Sequence, residues 1–222
     1  MHETLKTLKH GGWLVDYLTG QGIDIGCGDC PITSKAHPFD TADGDANHIT
    51  DYLETNTQYD YVYSSHCLEH MNDPEQTILD WWKLVRPGGA LIVIVPDEDL
   101  YEQGHFPSIF NFDHKHTFTI SKAQSWSPVS LNMLDLANSL PGGKLKRLVV
   151  QDACYDRSLV KWGSPEAIDQ TLNDTVLAQI ECVVTKRVPT SLMDFVVQLQ
   201  QSERLPAEFQ QVLDDNFWDL LA

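Results

Sequence analysis

The chain is poor in positive charge: 15 Lys and Arg stand against 32 Asp and Glu in 222 residues, for a formal net charge of -17. A surface of that sign repels phosphate backbones and anionic lipid headgroups, which sets nucleic acid aside as a substrate. Long hydrophobic runs are missing as well; no stretch approaches the ~18 apolar residues that a membrane span needs, so the expectation is a soluble protein with no membrane span. The amino terminus, Met1-His2-Glu3-Thr4-Leu5-Lys6, lacks the apolar centre of a signal peptide. Cysteine is sparse, with five residues at 27, 30, 67, 154 and 182. An odd, scattered set does not make a disulfide framework and points to a reducing, cytoplasmic setting. Repeats and low-complexity linkers are also absent, so one substantial domain is the default at this length.

What is present is organised around Gly22-Ile23-Asp24-Ile25-Gly26-Cys27-Gly28-Asp29-Cys30-Pro31. A short apolar run breaks into two glycines one residue apart, as in a buried strand that ends in a tight turn able to cradle a nucleotide. Glycine at such a turn permits positive φ and leaves backbone N–H groups open to a carboxylate, phosphate or ribose oxygen. Cys27 and Cys30 form a Cys-x-x-Cys pair, but without a second pair a redox or metal role is the weaker reading than small residues lining a turn. Before this stretch, Leu5, Leu8, Trp13, Leu14 and Leu18 have helical spacing interrupted at Gly11-Gly12.

Downstream, Phe39-Asp40-Thr41-Ala42-Asp43-Gly44-Asp45 is an acid-rich turn after a brief second strand. An acid there can accept both hydroxyls of a ribose, and Asp40, Asp43 and Asp45 all qualify. His48 to Leu53 reads as a short strand, and Tyr59 to Ser65 as a better one that ends in small hydroxyl residues. Asp73-Pro74 starts a helix with Ile78, Leu79, Trp82 and Val85 on one face, stopped by Arg86-Pro87-Gly88-Gly89. Ala90 to Pro96 is unbroken apolar, as in a central parallel strand covered on both faces.

From Asp97 to about Ser130 periodicity fades and histidine accumulates, notably at His105, His114 and His116. A long loop at the carboxyl ends of α/β strands is where such sheets bind ligands. Leu131 to Leu140 reads as a helix, and Lys146–Cys154 with Ile180–Val188 as an antiparallel pair of late strands. Two amphipathic helices are expected after Pro189 and Pro206. The architecture predicted is α/β: a doubly wound, Rossmann-like, mostly parallel seven-stranded sheet with an antiparallel edge strand, plus carboxyl-terminal helices. Residues 1–188 are expected to form the main domain. Residues 189–222 are expected as a helical extension packed on that domain or on a partner subunit, which would make a homodimer.

The ordered motifs resemble the class I S-adenosylmethionine-dependent methyltransferases, and within them the type 11-like domain. Asp24-Ile25-Gly26-Cys27-Gly28 looks like the nucleotide loop of that family. Ser64-Ser65-His66-Cys67-Leu68-Glu69-His70 looks like its segment after the fourth strand, and Leu84-Val85-Arg86-Pro87-Gly88-Gly89-Ala90-Leu91 like the signature before its fifth. The match spans about residues 20 to 120, with Cys30 where the family often has a third glycine. The resemblance implies S-adenosylmethionine as methyl donor and S-adenosylhomocysteine as product. It implies Asp24, Gly26, Cys27 and Gly28 around the methionine part, Asp40 at the ribose, Asp51 and Tyr52 at the adenine, and Ser65 and His66 near the sulfonium.

Methyl transfer displaces a thioether from a carbon that positive sulfur has already activated, so the protein mainly aligns the acceptor and excludes water. A base is needed for a hydroxyl acceptor; His66, His70, His105, His114 and His116 are the candidates, of which His114, His116 and His66 are selected, with Asp113 beside His114 to orient it. His70 reads as a structural hydrogen-bond partner. No metal is assigned, although His114-x-His116 with Asp113 has the donor types for a divalent ion. The function expected is methylation of a small-molecule or glycan acceptor, at a hydroxyl. The competing readings are a donor-binding, non-catalytic regulatory or partner subunit and, more weakly, a nicotinamide oxidoreductase, which the missing glycine at 30 disfavours.

Overall fold

A computed structural model describes residues 3–188, of which those up to Lys186 form one compact unit. The helices expected after Pro189 and Pro206, and the extension they would form, lie outside the described residues.

Six strands build the central sheet: β1 (Gly22–Ile25), β2 (Ala36–Phe39), β3 (Tyr59–Ser65), β4 (Val85–Pro96), β7 (Gly143–Gln151) and β8 (Gln179–Lys186), in the order β2-β1-β3-β4-β8-β7. The β2-β1, β1-β3 and β3-β4 pairs are parallel, whereas β8 runs antiparallel to both β4 and β7. Two short strands, β5 (Thr117–Thr119) and β6 (Ser130–Asn132), form a separate parallel pair. The expected mostly parallel Rossmann-like sheet is present with six strands among the described residues, not seven.

The seventh strand was expected near His48 to Leu53, where the chain instead forms a 3₁₀ turn, Ala46–Asp51. Asp45 caps that turn by accepting from Asn47 N–H, and Ile49 alone is buried, so the segment lacks the alternation that would hold a strand on a core. This leaves β2 at the sheet edge, a position that tolerates Pro38 because no ladder N–H is required on the outer side.

Both faces of the sheet are covered. On one, Trp81 and Ile78 of α2 (Pro74–Lys83) and Leu136 and Met133 of α3 (Met133–Ser139) pack on Ile23, Val62, Leu91, Val93 and Ile180. Both helices are stopped at their starts by side-chain caps, Asp73 accepting from Gln76 N–H and Asn132 from Leu134 N–H. On the other face Leu14, with Trp13, Tyr17 and Leu18, covers Tyr61, Tyr63, Ile92 and Ile94. These residues belong to a 3₁₀ turn, Gly12–Asp16, and its continuation, which follow α1 (Glu3–His10) after the break at Gly11. Trp81 and Trp82 bury their rings and donate their indole N–H groups to the Ala46 and Pro141 carbonyls. They are core residues that also staple loops to α2.

Candidate functional site

The carboxyl ends of β1, β2 and β3 lie side by side, and most of the expected site residues stand there. Gly26 adopts φ 77° and Gly28 φ 56°. A Cβ on Gly26 would lie 2.7 Å from the Cys67 side chain, so only glycine lets the turn after β1 pass the segment after β3. Asp24 is buried at 1% exposure and its carboxylate accepts from Ile32 N–H at 2.6 Å. Burial outweighs that bond and, with Asp40 nearby, pushes the Asp24 carboxyl up to about 7. Cys27 is buried, donates to the Gly28 carbonyl, and has its thiol pushed above the usual range by desolvation and by Asp24.

The three acids after β2 separate by what they hold. Asp40 accepts from Gly28 N–H at 2.7 Å and from Thr41 N–H at 2.7 Å, tying the β2 end to the glycine turn. Asp43 accepts from Asp40 N–H at 2.9 Å and so braces Asp40. Asp45 is committed to the cap at Asn47. Asp51 ends the 3₁₀ turn and is exposed; Tyr52 follows it, half exposed, with its ring edge-on to Phe39 at 6.2 Å.

After β3 the chain turns sharply at His66, which takes φ 53° and donates its N–H to the Ile94 carbonyl of β4 at 2.9 Å. Ser64 Oγ donates to the Ile25 carbonyl, whereas Ser65 Oγ is buried without a hydrogen-bond partner. A 3₁₀ turn, Leu68–His70, then buries Glu69 at 1% exposure. Neither Glu69 carboxylate oxygen has a hydrogen bond. Its Oε1 lies 3.6 Å from His66 Nδ1, 3.9 Å from His70 Nε2 and 3.9 Å from His114 Nε2.

The histidine-rich loop docks on this acid, since Lys115 and His116 donate their N–H groups to the Glu69 carbonyl at 2.9 and 3.2 Å. His114 is buried at 6% exposure, with Nδ1 2.6 Å from Glu102 Oε1 and its ring 5.0 Å from that of His70. Burial opposes charge on His114, but the Glu102 bond and the Glu69 field outweigh it, and its pKa is raised. His70 in turn places Nδ1 3.1 Å from an Asp113 carboxylate oxygen. His66 Nε2 lies 3.3 Å from Gln179 Oε1 on β8.

Of the expected bases, His66 and His114 therefore converge on one acid, whereas His116 joins only through its backbone. Glu69, His70 and Glu102 belong to the same cluster although the sequence does not single them out for it. The available signal was an acid between two histidines in an otherwise buried segment, His66-Cys67-Leu68-Glu69-His70.

A contrasting acid stands at the next strand end. Glu98, at 0% exposure, accepts from Lys122 Nζ at 2.8 Å, Ser125 Oγ at 2.7 Å, Thr117 Oγ1 at 3.2 Å and Ser130 Oγ. Lys122, Ser125 and Ser130 also line a cavity of about 620 Å³ between α2, α3 and the β5-β6 pair. It shares no lining residue with the glycine turn or the Glu69 cluster.

The alternating strands, the glycine turn and the acid at the following strand end define a Rossmann-like α/β domain. A family model described as a methyltransferase domain matches residues 3–152, and the chain belongs to that family, with a class I S-adenosylmethionine-dependent methyltransferase domain. No curated protein matches the sequence. Among solved structures, a putative methyltransferase complexed with the Trm112 methyltransferase activator of Haloferax volcanii is 12% identical with a TM-score of 0.50, covering 83% of this chain and 91% of that one. A protein solved in work on conversion of a disulfide bond into a thioacetal group during echinomycin biosynthesis is 12% identical at TM-score 0.51, covering 90% and 86%. YcgJ of Bacillus subtilis is 11% identical at TM-score 0.50, covering 85% and 100%. At these identities the three likenesses speak for the fold.

Proposed function

We propose that the protein is a cytoplasmic enzyme that transfers a methyl group from S-adenosylmethionine to a hydroxyl of a small-molecule or glycan acceptor. The observation that carries this reading is the convergence, along adjacent strand ends, of a glycine turn braced by Asp40 with a buried acid ringed by three imidazoles. When bound, the donor supplies a methyl group on a positive sulfur. The chain offers it fitting groups: buried Asp24 for an ammonium, the Gly26-Cys27-Gly28 backbone for the amino-acid part, and Asp40 for ribose hydroxyls. Asp51 and Tyr52 would face the base, and Ser65, whose Oγ is buried without a hydrogen-bond partner, would stand near the sulfonium.

His66 takes the acceptor proton. Its Nε2 meets Gln179 Oε1 at 3.3 Å, which orients the ring, and its Nδ1 lies 3.6 Å from Glu69. His114, anchored by Glu102, would form the acceptor wall; the acceptor oxygen would take the methyl carbon as the carbon–sulfur bond breaks and the thioether leaves as S-adenosylhomocysteine, the hydroxyl proton passing to His66. The acidic surface disfavours nucleic acid as acceptor.

A lysate incubated with an isotopically labelled methyl donor and the protein, then read by mass spectrometry, tests the reading without guessing the acceptor. One labelled small molecule or glycan that disappears with His66→Ala is expected. Donor binding with no labelled product in any fraction would instead favour a non-catalytic partner subunit. Binding of NADH in place of S-adenosylhomocysteine would overturn the methyltransferase reading altogether.

A further inference from the structure

The Glu69 cluster has a property that proton transfer alone does not require. Glu69 is buried, its two oxygens accept no hydrogen bond, and the imidazole nitrogens turned toward it are the ones left over from other bonds. His114 spends Nδ1 on Glu102 at 2.6 Å, and His70 spends Nδ1 on Asp113 at 3.1 Å, which leaves both Nε2 atoms 3.9 Å from Glu69 Oε1. One ligand atom from each of the three residues falls within 4.8 Å of the others.

We propose that Glu69, His70 and His114 bind one divalent first-row transition ion. A carboxylate buried without a donor needs a counter-charge, because an isolated ion is strongly disfavoured away from water. His114 has its far nitrogen held by the Glu102 carboxylate and His70 by the Asp113 backbone carbonyl, the arrangement that orients metal-binding histidines. Two ligands on bonds of ~2.1 Å lie about 3.0–3.4 Å apart, so the observed 3.9 Å separations close by about 0.5–0.9 Å each. That is within the reach of side-chain torsions.

Two imidazoles and a single carboxylate select zinc, iron, cobalt or manganese over magnesium and calcium, which prefer oxygen alone. Three protein ligands leave coordination positions open, as sites that act on a substrate do. His70, with its side chain 23% exposed against 3% for His114, marks the open side. The sequence assigns no metal and offers only His114-x-His116 with Asp113 as donor types; the fold instead gathers Glu69 and His70 about His114.

On the proposed methyltransferase reading, on which this last step rests, the ion binds the acceptor oxygen and makes its hydroxyl more acidic, while the proton still leaves to His66. Binding itself does not depend on that reading, so the two can fail separately. Tag-free, chelator-stripped protein titrated with zinc or cobalt in a calorimeter is expected to take up one ion per chain. The cobalt-loaded protein is expected to show visible d–d absorption. Glu69→Gln, His70→Ala and His114→Ala should each weaken uptake at least 100-fold, and Glu102→Gln about 10- to 100-fold.

Circular dichroism and thermal melting of each metal-free variant separate lost ligation from lost folding, with His70→Ala the mildest because its side chain is the most exposed. Uptake without S-adenosylhomocysteine binding would keep the metal site and remove the donor reading. Failure of the stripped wild-type protein to bind either ion, or uptake unchanged in all three ligand variants, would overturn the inference.

Discussion

Glu98 and Glu69 stand at the ends of the neighbouring strands β4 and β3, at 0% and 1% exposure, and meet opposite surroundings. Glu98 is saturated by one ammonium and three hydroxyls, which join the β5-β6 pair to the end of β4. Glu69 faces three imidazoles and accepts from none of them. Burial alone therefore does not mark a functional acid. A satisfied buried acid holds a fold together, whereas an unsatisfied one stores a demand that a ligand can meet.

The sharpest way to break this comparison is to change both acids. Glu98→Ala removes the acceptor of a buried network and should cost about 3 kcal/mol of stability by leaving the Thr117 and Ser130 hydroxyls without it, while Lys122 keeps Asp99, as read by denaturant unfolding. Glu69→Gln should change stability by less than ~1 kcal/mol, since no hydrogen bond is lost, yet lower kcat by ~100-fold or more. Equal stability losses, or an active Glu69→Gln enzyme, would erase the distinction.

Asp24 extends the comparison to a third buried acid. Its folded pKa of about 7 lies above the ordinary 3.8, so the folded state holds the proton more tightly than the unfolded chain. Its contribution is fully present below pH ~4 and is lost as pH rises through ~7, by up to about 4 kcal/mol at ~1.4 kcal/mol per unit. Asp24→Asn keeps an acceptor for Ile32 N–H and should flatten that part of the stability profile between pH 4 and 8. Wild-type and variant profiles that run parallel would show that Asp24 ionises freely.

At the glycine turn, Asp40→Ala should weaken S-adenosylhomocysteine binding by ~10- to 100-fold, the loss of charge-assisted hydrogen bonds. Asp45→Ala should affect mainly the 3₁₀ cap, by ~1 kcal/mol in stability. The smallest effect belongs to His116→Ala, expected to alter kcat by less than ~2-fold because its side chain takes no part in the cluster, against a loss of ~100-fold for His114→Ala.

Much of this was legible in the residues. The apolar run Ala90–Pro96 could only be a strand covered on both faces, and β4 is that strand. The late antiparallel pair, β7 with β8, was visible because its two apolar segments were long enough to be unambiguous. The His48–Leu53 segment misled because β-forming composition was weighed without the cap that Asp45 supplies. Glu69 gives no such signal of burial in the sequence, because an acid is solvated by default. Only the fold shows that the backbone at Lys115 and His116 docks on it. Glu102 meets His114 across 12 residues of irregular chain, a pairing that no periodicity encodes.

The central claim is that the turn at Gly26-Cys27-Gly28, braced by Asp40, is the methyl-donor site. Isothermal calorimetry with S-adenosylhomocysteine on the wild-type protein and on Asp40→Ala tests it most directly. One molecule bound per chain, with affinity at least 10-fold weaker in the variant, is the predicted result. No heat from the wild-type protein, or the same affinity in both, would contradict it.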